Sequence, residues 1–153
     1  LSLSKKYSDL KNLIKFKEKL FPEIIQISFL KCSNIYLKNN QEKLNIFIKY
    51  CPKIGICYDT GNSISENKDF VKEISYLSRV INHIHLKDKI KKGKKFYNTY
   101  LGNGLLDFYK LKVTLNRINY KKKITLECCY GNNPIQDSVK NLEFAKKNLI
   151  YEQ

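Results

Sequence analysis

Two closely spaced histidines that precede a carboxylate are the residues of this sequence best suited to metal chemistry. His83 and His85 are the only histidines in the chain, and Asp88 follows them three residues later. They lie in an apolar, β-branched run at 80–88, and alternate residues of a strand share a face. A strand there would present both imidazoles on one side, which predicts a fragment of a metal site. The alternative is one packed core histidine and one surface histidine.

The spacing of apolar residues predicts strands and helices in alternation. Strands are expected at 34–38, 54–58, 80–86 and 123–127, and helices at 41–50, 69–77, 108–118 and 137–149. The last helix would have Asp137 or Ser138 near its N-cap. Segments 7–20 and 23–32 have helical spacing, and the lysine-rich stretch 87–104 is predicted to be a long functional loop. Strand-helix units in series predict an α/β fold with parallel strands and outer helices.

A polar residue stands at the carboxyl end of each predicted strand. These residues are Lys38, Asp59, His85 to Asp88, and Glu127. In an α/β barrel this end of the strands is where the active site is assembled. Four strands that place polar residues in one layer favour a metal site over a packed core histidine.

The length of the chain limits how much of a barrel it can form. A complete barrel needs about 250 residues, whereas this chain has 153. We therefore predict half a TIM barrel as one domain over 1–153, with a helical lead-in at 1–33 and strand-helix repeats at 34–153. An open half exposes strand edges, which predicts self-association or pairing with a missing N-terminal half.

Composition narrows the classes of partner and compartment. The net charge of +15 comes from lysines, with only two arginines, Arg79 and Arg117. Arginine is preferred for bidentate phosphate and base contacts, so its scarcity makes nucleic acid an unlikely partner. No stretch reaches the roughly 18 apolar residues of a membrane span. The five cysteines form no CxxC pair, which predicts reduced thiols and a cytoplasmic protein.

Four segments, in order, resemble the C-terminal half of a xylose-isomerase-like TIM barrel. This superfamily includes sugar-phosphate isomerases, sugar epimerases and endonuclease IV. The segments are GICYDTGNS at 55–63, NHIHLKD at 82–88, LGNGLLDF at 101–108 and ITLE at 124–127. Their form most resembles the sugar-phosphate isomerase and epimerase branch.

The resemblance implies a divalent metal (Mn, Co, Mg or Zn) held by Glu, Asp, His and Glu from successive strands. The last three of these ligands correspond to Asp59, His85 and Glu127, and Glu127 is also the implied catalytic base. An enzyme of this kind would be an aldose-ketose isomerase or a 3-epimerase acting on a sugar or sugar phosphate. Residues expected near the substrate are Asn62, Lys87, Asp88 and Lys91, since lysines suit a phosphate group.

The sequence departs from the family pattern at several positions. The first glutamate of the pattern falls on Lys38, whose ammonium would repel a metal ion rather than bind it. Three interpretations stay open: the site has lost its metal, the charge of Lys38 replaces that of the metal, or the alignment differs at this position. Asn62 stands where endonuclease IV has a histidine, and Phe96 and Asn98 stand where that enzyme has Asp-x-His. The DNA-repair alternative is therefore less favoured. The other alternative is a non-catalytic barrel half that serves as a binding or assembly remnant.

Overall fold

Short apolar runs form a four-stranded parallel sheet at the centre of the protein. The computed structural model describes residues 26–28, 45, 49, 55–128 and 131–149. The strands lie side by side in the order β1 (Gln26–Ser28), β2 (Gly55–Asp59), β3 (Ile81–Leu86) and β6 (Lys123–Leu126), and each adjacent pair is parallel. Within the described ranges the sheet is open. The predicted α/β class is confirmed, in the form of a partial barrel.

In the described range 55–149 the chain forms four helices, and aspartates begin three of them. They are α1 (Thr60–Ser65), α2 (Phe70–Leu77), α3 (Phe108–Arg117) and α4 (Pro134–Leu149). Asp59, Asp69 and Asp107 each accept backbone N–H groups at the start of α1, α2 and α3, which satisfies donors that a helix leaves unpaired. Asn45 and Lys49 are also helical. No helix in the described part of the chain is long and apolar enough to cross a membrane.

The alternation of side chains along the strands gives the sheet two different faces. One face contributes apolar residues to the core, where they pack against helix residues such as Ile74 and Leu111. The strand residues of this core are Ile56, Tyr58, Ile81, Ile84 and Leu86, and Ile81 joins it beside an irregularity in the pairing of β2 with β3. The opposite face presents the intervening residues of the same strands, among them His83 and His85. The hydrophobic effect therefore fixes which face the polar side chains occupy.

The stretch 87–104, predicted as a loop, contains a β-hairpin, so that prediction is wrong. Its strands are β4 (Asp88–Lys92) and β5 (Lys95–Thr99), and they are antiparallel. The turn between them includes Gly93, whose φ of 58° is readily adopted by glycine. Pairing within the hairpin sets Lys91 opposite Phe96. The ammonium of Lys91 lies 5.6 Å from the centroid of that ring, a cation-π contact.

Asp88 fastens the hairpin to the loop that precedes α3. Its side chain is 1% exposed, and its two oxygens accept backbone hydrogen bonds from four residues: Lys89, Gly102, Gly104 and Leu106. A Cβ at Gly104 would collide with this carboxylate, which explains the second glycine of the LGNG sequence. The buried charge is thus stabilised by N–H donors.

Two other predicted elements differ from the structure. The helix expected over 23–32 is wrong at the three residues described there, because they form β1 and pair with β2. The last helix begins at Pro134 rather than at Asp137 or Ser138, and Asn133 Oδ1 accepts the N–H of Gln136. Proline suits the first helical position because its missing N–H is not needed there. The strand predicted at 34–38 and the helix predicted at 7–20 lie outside the described residues.

We expect Asp88→Asn to destabilise the protein by about 2–4 kcal/mol, because the amide cannot accept all four buried backbone N–H groups. Urea denaturation at pH 7 would measure the change in the free energy of unfolding. Asp107→Asn is the matched control, since asparagine is as good an N-cap as aspartate, and it should cost under about 0.5 kcal/mol. Equal losses in the two variants would contradict the anchoring role of Asp88.

The Asp107 cap should make stability depend on pH in the acid range. The backbone N–H of Lys110 is the main cause that lowers the pKa of Asp107. A lowered pKa in the folded state adds stability above the unfolded pKa, and this stability is lost as the pH falls. The stability of wild type relative to Asp107→Asn, whose cap does not titrate, should therefore fall below about pH 4. Urea denaturation at pH 6 and pH 3 would test this, and a relative stability that grows in acid would contradict it.

Candidate active site

Parallel pairing brings three predicted ligand residues to one edge of the sheet. Asp59 at the end of β2 lies opposite His85 in β3, and His85 lies opposite Thr125 in β6. Glu127 follows Thr125 by two residues and therefore shares its face. One ligand atom from each of Asp59, His85 and Glu127 lies within 4.8 Å of the others.

A fourth side chain, that of Lys87, joins this group. Its Nζ lies 3.0 Å from Asp59 Oδ2 and 2.8 Å from Glu127 Oε1. The other oxygen of Glu127, Oε2, lies 2.7 Å from His85 Nδ1. We call these four residues (Asp59, His85, Lys87 and Glu127) the strand-end cluster. One ammonium thus bridges the two carboxylates.

The members of the strand-end cluster differ in their exposure to solvent. The side chains of Asp59 and Lys87 are 9% and 16% exposed, whereas that of Glu127 is 48% exposed. Burial disfavours the ammonium of Lys87, but the hydrogen bonds to Glu127 and Asp59 outweigh that effect and raise its pKa. Lys87 therefore stays charged at neutral pH. Glu127 is the carboxylate that a molecule arriving from solvent can reach.

Thr60 fixes the backbone of Lys87, and sequence analysis did not identify this role. The Thr60 hydroxyl is fully buried. It accepts the Lys87 N–H at 2.8 Å and donates to the Lys87 carbonyl at 2.7 Å. Thr60 follows Asp59 directly in the DTGN segment, so the end of β2 supplies a cluster residue and the first residue of α1 supports Lys87. The motif contained the signal, but only the three-dimensional pairing of β2 with β3 makes the contact visible.

His83 and Cys57 lie on the same face as the cluster, one residue pair further from its edge. They are register partners, and His83 Nε2 is 2.7 Å from Thr125 Oγ1. Burial, the neighbouring His85 and Lys123 lower the pKa of His83. Burial, together with Asp59 and Glu127, raises the pKa of the Cys57 thiol to about 11. Both groups are therefore neutral at pH 7, and Cys57 is a free, protonated thiol.

The structure places the remaining predicted site residues in other contacts. Asn62 lies in α1, and its backbone N–H donates to Asp59 Oδ1 at 3.1 Å. Asp88 is buried in its loop contacts and Lys91 lies on the hairpin against Phe96. Lys38 lies outside the described residues. The substrate-binding roles of Asn62, Lys87, Asp88 and Lys91 stay predictions.

The donor set of the cluster fits a divalent metal. Two carboxylates and one imidazole are ligands that Mn²⁺, Co²⁺ and Zn²⁺ accept. Two ligand atoms on opposite sides of one ion, each about 2.1 Å from it, are about 4.2 Å apart, close to the 4.8 Å limit within which these atoms lie. Small side-chain adjustments could therefore bring the three groups onto one ion, although Lys87 now contacts two of them.

Comparison with known proteins identifies the family. A family model described as xylose isomerase-like TIM barrel matches residues 28–148. This chain belongs to that family. The matched region includes all three ligand candidates and every strand from β2 onward. A comparison with curated proteins finds no significant match.

Solved structures of the xylose isomerase-like fold superpose on nearly the whole chain. A xylose isomerase domain protein from Planctomyces limnophilus shares 19% identity with a TM-score of 0.60, covering 92% of this chain. The 3-keto-D-glucoside 4-epimerase from E. coli shares 17% identity with a TM-score of 0.62 over 92% of this chain. D-allulose 3-epimerase from Methylomonas sp. shares 18% identity with a TM-score of 0.60 over 93% of this chain. The chain spans 66%, 51% and 54% of these three proteins, respectively. At such identities the likeness shows the fold.

We expect Thr60→Val to reduce the free energy of unfolding by about 1–3 kcal/mol, because it leaves the buried N–H of Lys87 without its hydroxyl partner. Thr60→Ser is the matched control, since it keeps the hydroxyl and loses only a methyl group, at a cost of about 1 kcal/mol. Thermal and urea unfolding of both variants would measure the difference. If valine were tolerated better than serine, the hydroxyl contacts would not be what supports this strand end.

Proposed function

We propose that the protein is a metal-dependent isomerase or epimerase of sugars or sugar phosphates. The observation that supports this most is the convergence of Asp59, His85 and Glu127 from three adjacent parallel strands. Membership of the xylose isomerase-like family and the epimerases among the similar structures agree with the proposal. The strand-end cluster is the proposed catalytic site.

Asp59, His85 and Glu127 would hold the divalent ion. When bound, such an ion stabilises the negative charge that develops on sugar oxygens during enolisation. His85 has a second role in this proposal, because its Nδ1 contact with Glu127 Oε2 orients the carboxylate. Asn62, Lys87 and Lys91 are proposed to bind the substrate, and the lysines suit a phosphate group.

Glu127 is the proposed proton-transfer group. It is the most exposed carboxylate of the cluster, so it can meet the carbon next to a sugar carbonyl. Its oxygen takes the proton as the C–H bond breaks, the electron pair of that bond forms the C=C bond of an enediolate, and the π electrons of the C=O bond move onto the carbonyl oxygen. Return of the proton to the neighbouring carbon gives an isomerase. Return to the same carbon from the opposite face requires a second donor and gives an epimerase.

Deuterium exchange would test the proposed function. The full chain is incubated with Mn²⁺ and a panel of ketohexoses, aldohexoses and their phosphates in D₂O, and ¹H NMR follows loss of the carbon-bound proton. We expect exchange with at least one sugar, and Glu127→Gln should reduce its rate by at least about 100-fold. The position of the deuterium and the product formed distinguish isomerisation from epimerisation.

Glu143→Gln is the matched control for this test, since Glu143 is an exposed glutamate on α4. It should leave the rate unchanged. Exchange that persists in Glu127→Gln would rule out Glu127 as the base. A folded, metal-loaded wild type that exchanges no sugar of the panel would contradict the catalytic proposal.

A second candidate is a non-catalytic sugar-binding module. The ion pairs of Lys87 favour it, because they engage both carboxylates in a contact that needs no metal. This candidate predicts sugar binding, measured by calorimetry, with no deuterium exchange at any metal concentration. Exchange that depends on Glu127 would exclude it.

A further inference from the structure

All four carboxylate oxygens of Asp59 and Glu127 have protein partners. Asp59 Oδ1 accepts the N–H of Asn62, and its Oδ2 contacts Lys87. Glu127 Oε1 contacts Lys87, and its Oε2 contacts His85. A cation that enters from outside therefore meets carboxylates that protein groups already engage.

Lys87 is the partner that a metal ion must replace. Its ammonium touches one oxygen of each carboxylate, at 3.0 Å and 2.8 Å, and an ion bound to both residues would need the same region between them. Two positive charges so close together repel each other strongly in a partly buried site. With Lys87 in place, the two carboxylates and the ammonium sum to a charge of −1, whereas the carboxylates alone offer −2 to a divalent ion.

The backbone of Lys87 is fixed, whereas its side chain is long and flexible. Thr60 holds the Lys87 N–H and carbonyl, so displacement involves only rotation about side-chain bonds. The lysine side chain has four methylene groups, about whose bonds it can rotate, and a strongly hydrated ammonium. These properties favour extension of the ammonium into solvent. The structure thus separates a rigid attachment point from a movable charge.

We infer that Lys87 is an internal cation that competes with the divalent metal for Asp59 and Glu127. This inference rests on the proposed function, because it concerns the same site. Metal binding displaces the ammonium of Lys87 from the carboxylates and frees its three N–H donors for an anionic or hydroxyl group of the substrate. Lys87 is therefore a residue that lowers metal affinity and becomes available to substrate only in the loaded site.

The test compares Mn²⁺ affinities of full-length variants, measured by calorimetry and by the electron paramagnetic resonance signal of free Mn²⁺. Lys87→Met removes the charge and keeps the length of the side chain, and it should bind Mn²⁺ at least about tenfold more tightly than wild type. Lys94→Met is the matched control, because Lys94 is an exposed lysine in the hairpin turn. It should change the affinity by less than about twofold.

Several outcomes would overturn the inference. Unchanged or weaker binding by Lys87→Met would do so, and so would an equal gain in Lys94→Met, which would reflect net charge alone. If wild type binds Mn²⁺ and Lys87→Met matches it, the inference fails while the proposed metal site stands. If neither protein binds, both the inference and the metal-dependent function fail. Binding by Lys87→Met alone supports the inference.

A second variant guards against loss of folding. Lys87→Gln keeps a hydrogen-bond donor toward the carboxylates without the charge, and it replaces Lys87→Met if circular dichroism shows that the methionine variant is unfolded. It should also bind Mn²⁺ more tightly than wild type. Adding His85→Ala to the tighter-binding variant should abolish the gain, and a gain that survives this change would place the metal elsewhere and overturn the inference.

Discussion

In-register parallel pairing of β2, β3 and β6 is the constraint on which the site depends. The pairing sets Asp59 opposite His85 and His85 opposite Thr125, so residues distant in sequence reach the same edge. A slip of one residue would turn each strand over and move these side chains to the core face. The apolar residues between them prevent such a slip, because Ile84 and Leu86 are fully buried against the helices. Packing on one face thus determines chemistry on the other.

Charge compensation is the second requirement of this edge. Two carboxylates that meet at a partly buried position need a cation nearby, since unpaired buried charge is costly. The chain supplies that cation from within, through Lys87. A metal-dependent activity would require the protein to exchange this internal compensation for compensation by a metal ion.

Much of the fold could be predicted from the sequence, because its central strands are short apolar runs bounded by polar residues. The runs at 54–58, 80–86 and 123–127 match β2, β3 and β6 closely, and their polar ends pointed to Asp59, His85 and Glu127. The hairpin was not predicted, because the lysines in its strands obscure the alternation of apolar and polar residues by which a strand is recognised. The bridging position of Lys87 could not be predicted, since it depends on side-chain geometry across three strands. The start of α4 had a readable signal in Asn133 followed by Pro134.

The buried carboxylate of Asp88 has a consequence for how this protein can diverge. By accepting N–H groups from both the first hairpin strand and the loop before α3, it closes the base of the segment between them. Among the described residues, no atom lies within 4 Å of the position of a Cβ added at Gly93, in the tip. Insertions at the tip, and exchanges at positions other than Gly93, whose φ of 58° favours glycine, therefore leave the strand ends in place. The hairpin tip is therefore where this chain can change in length without disturbing the strand-end cluster.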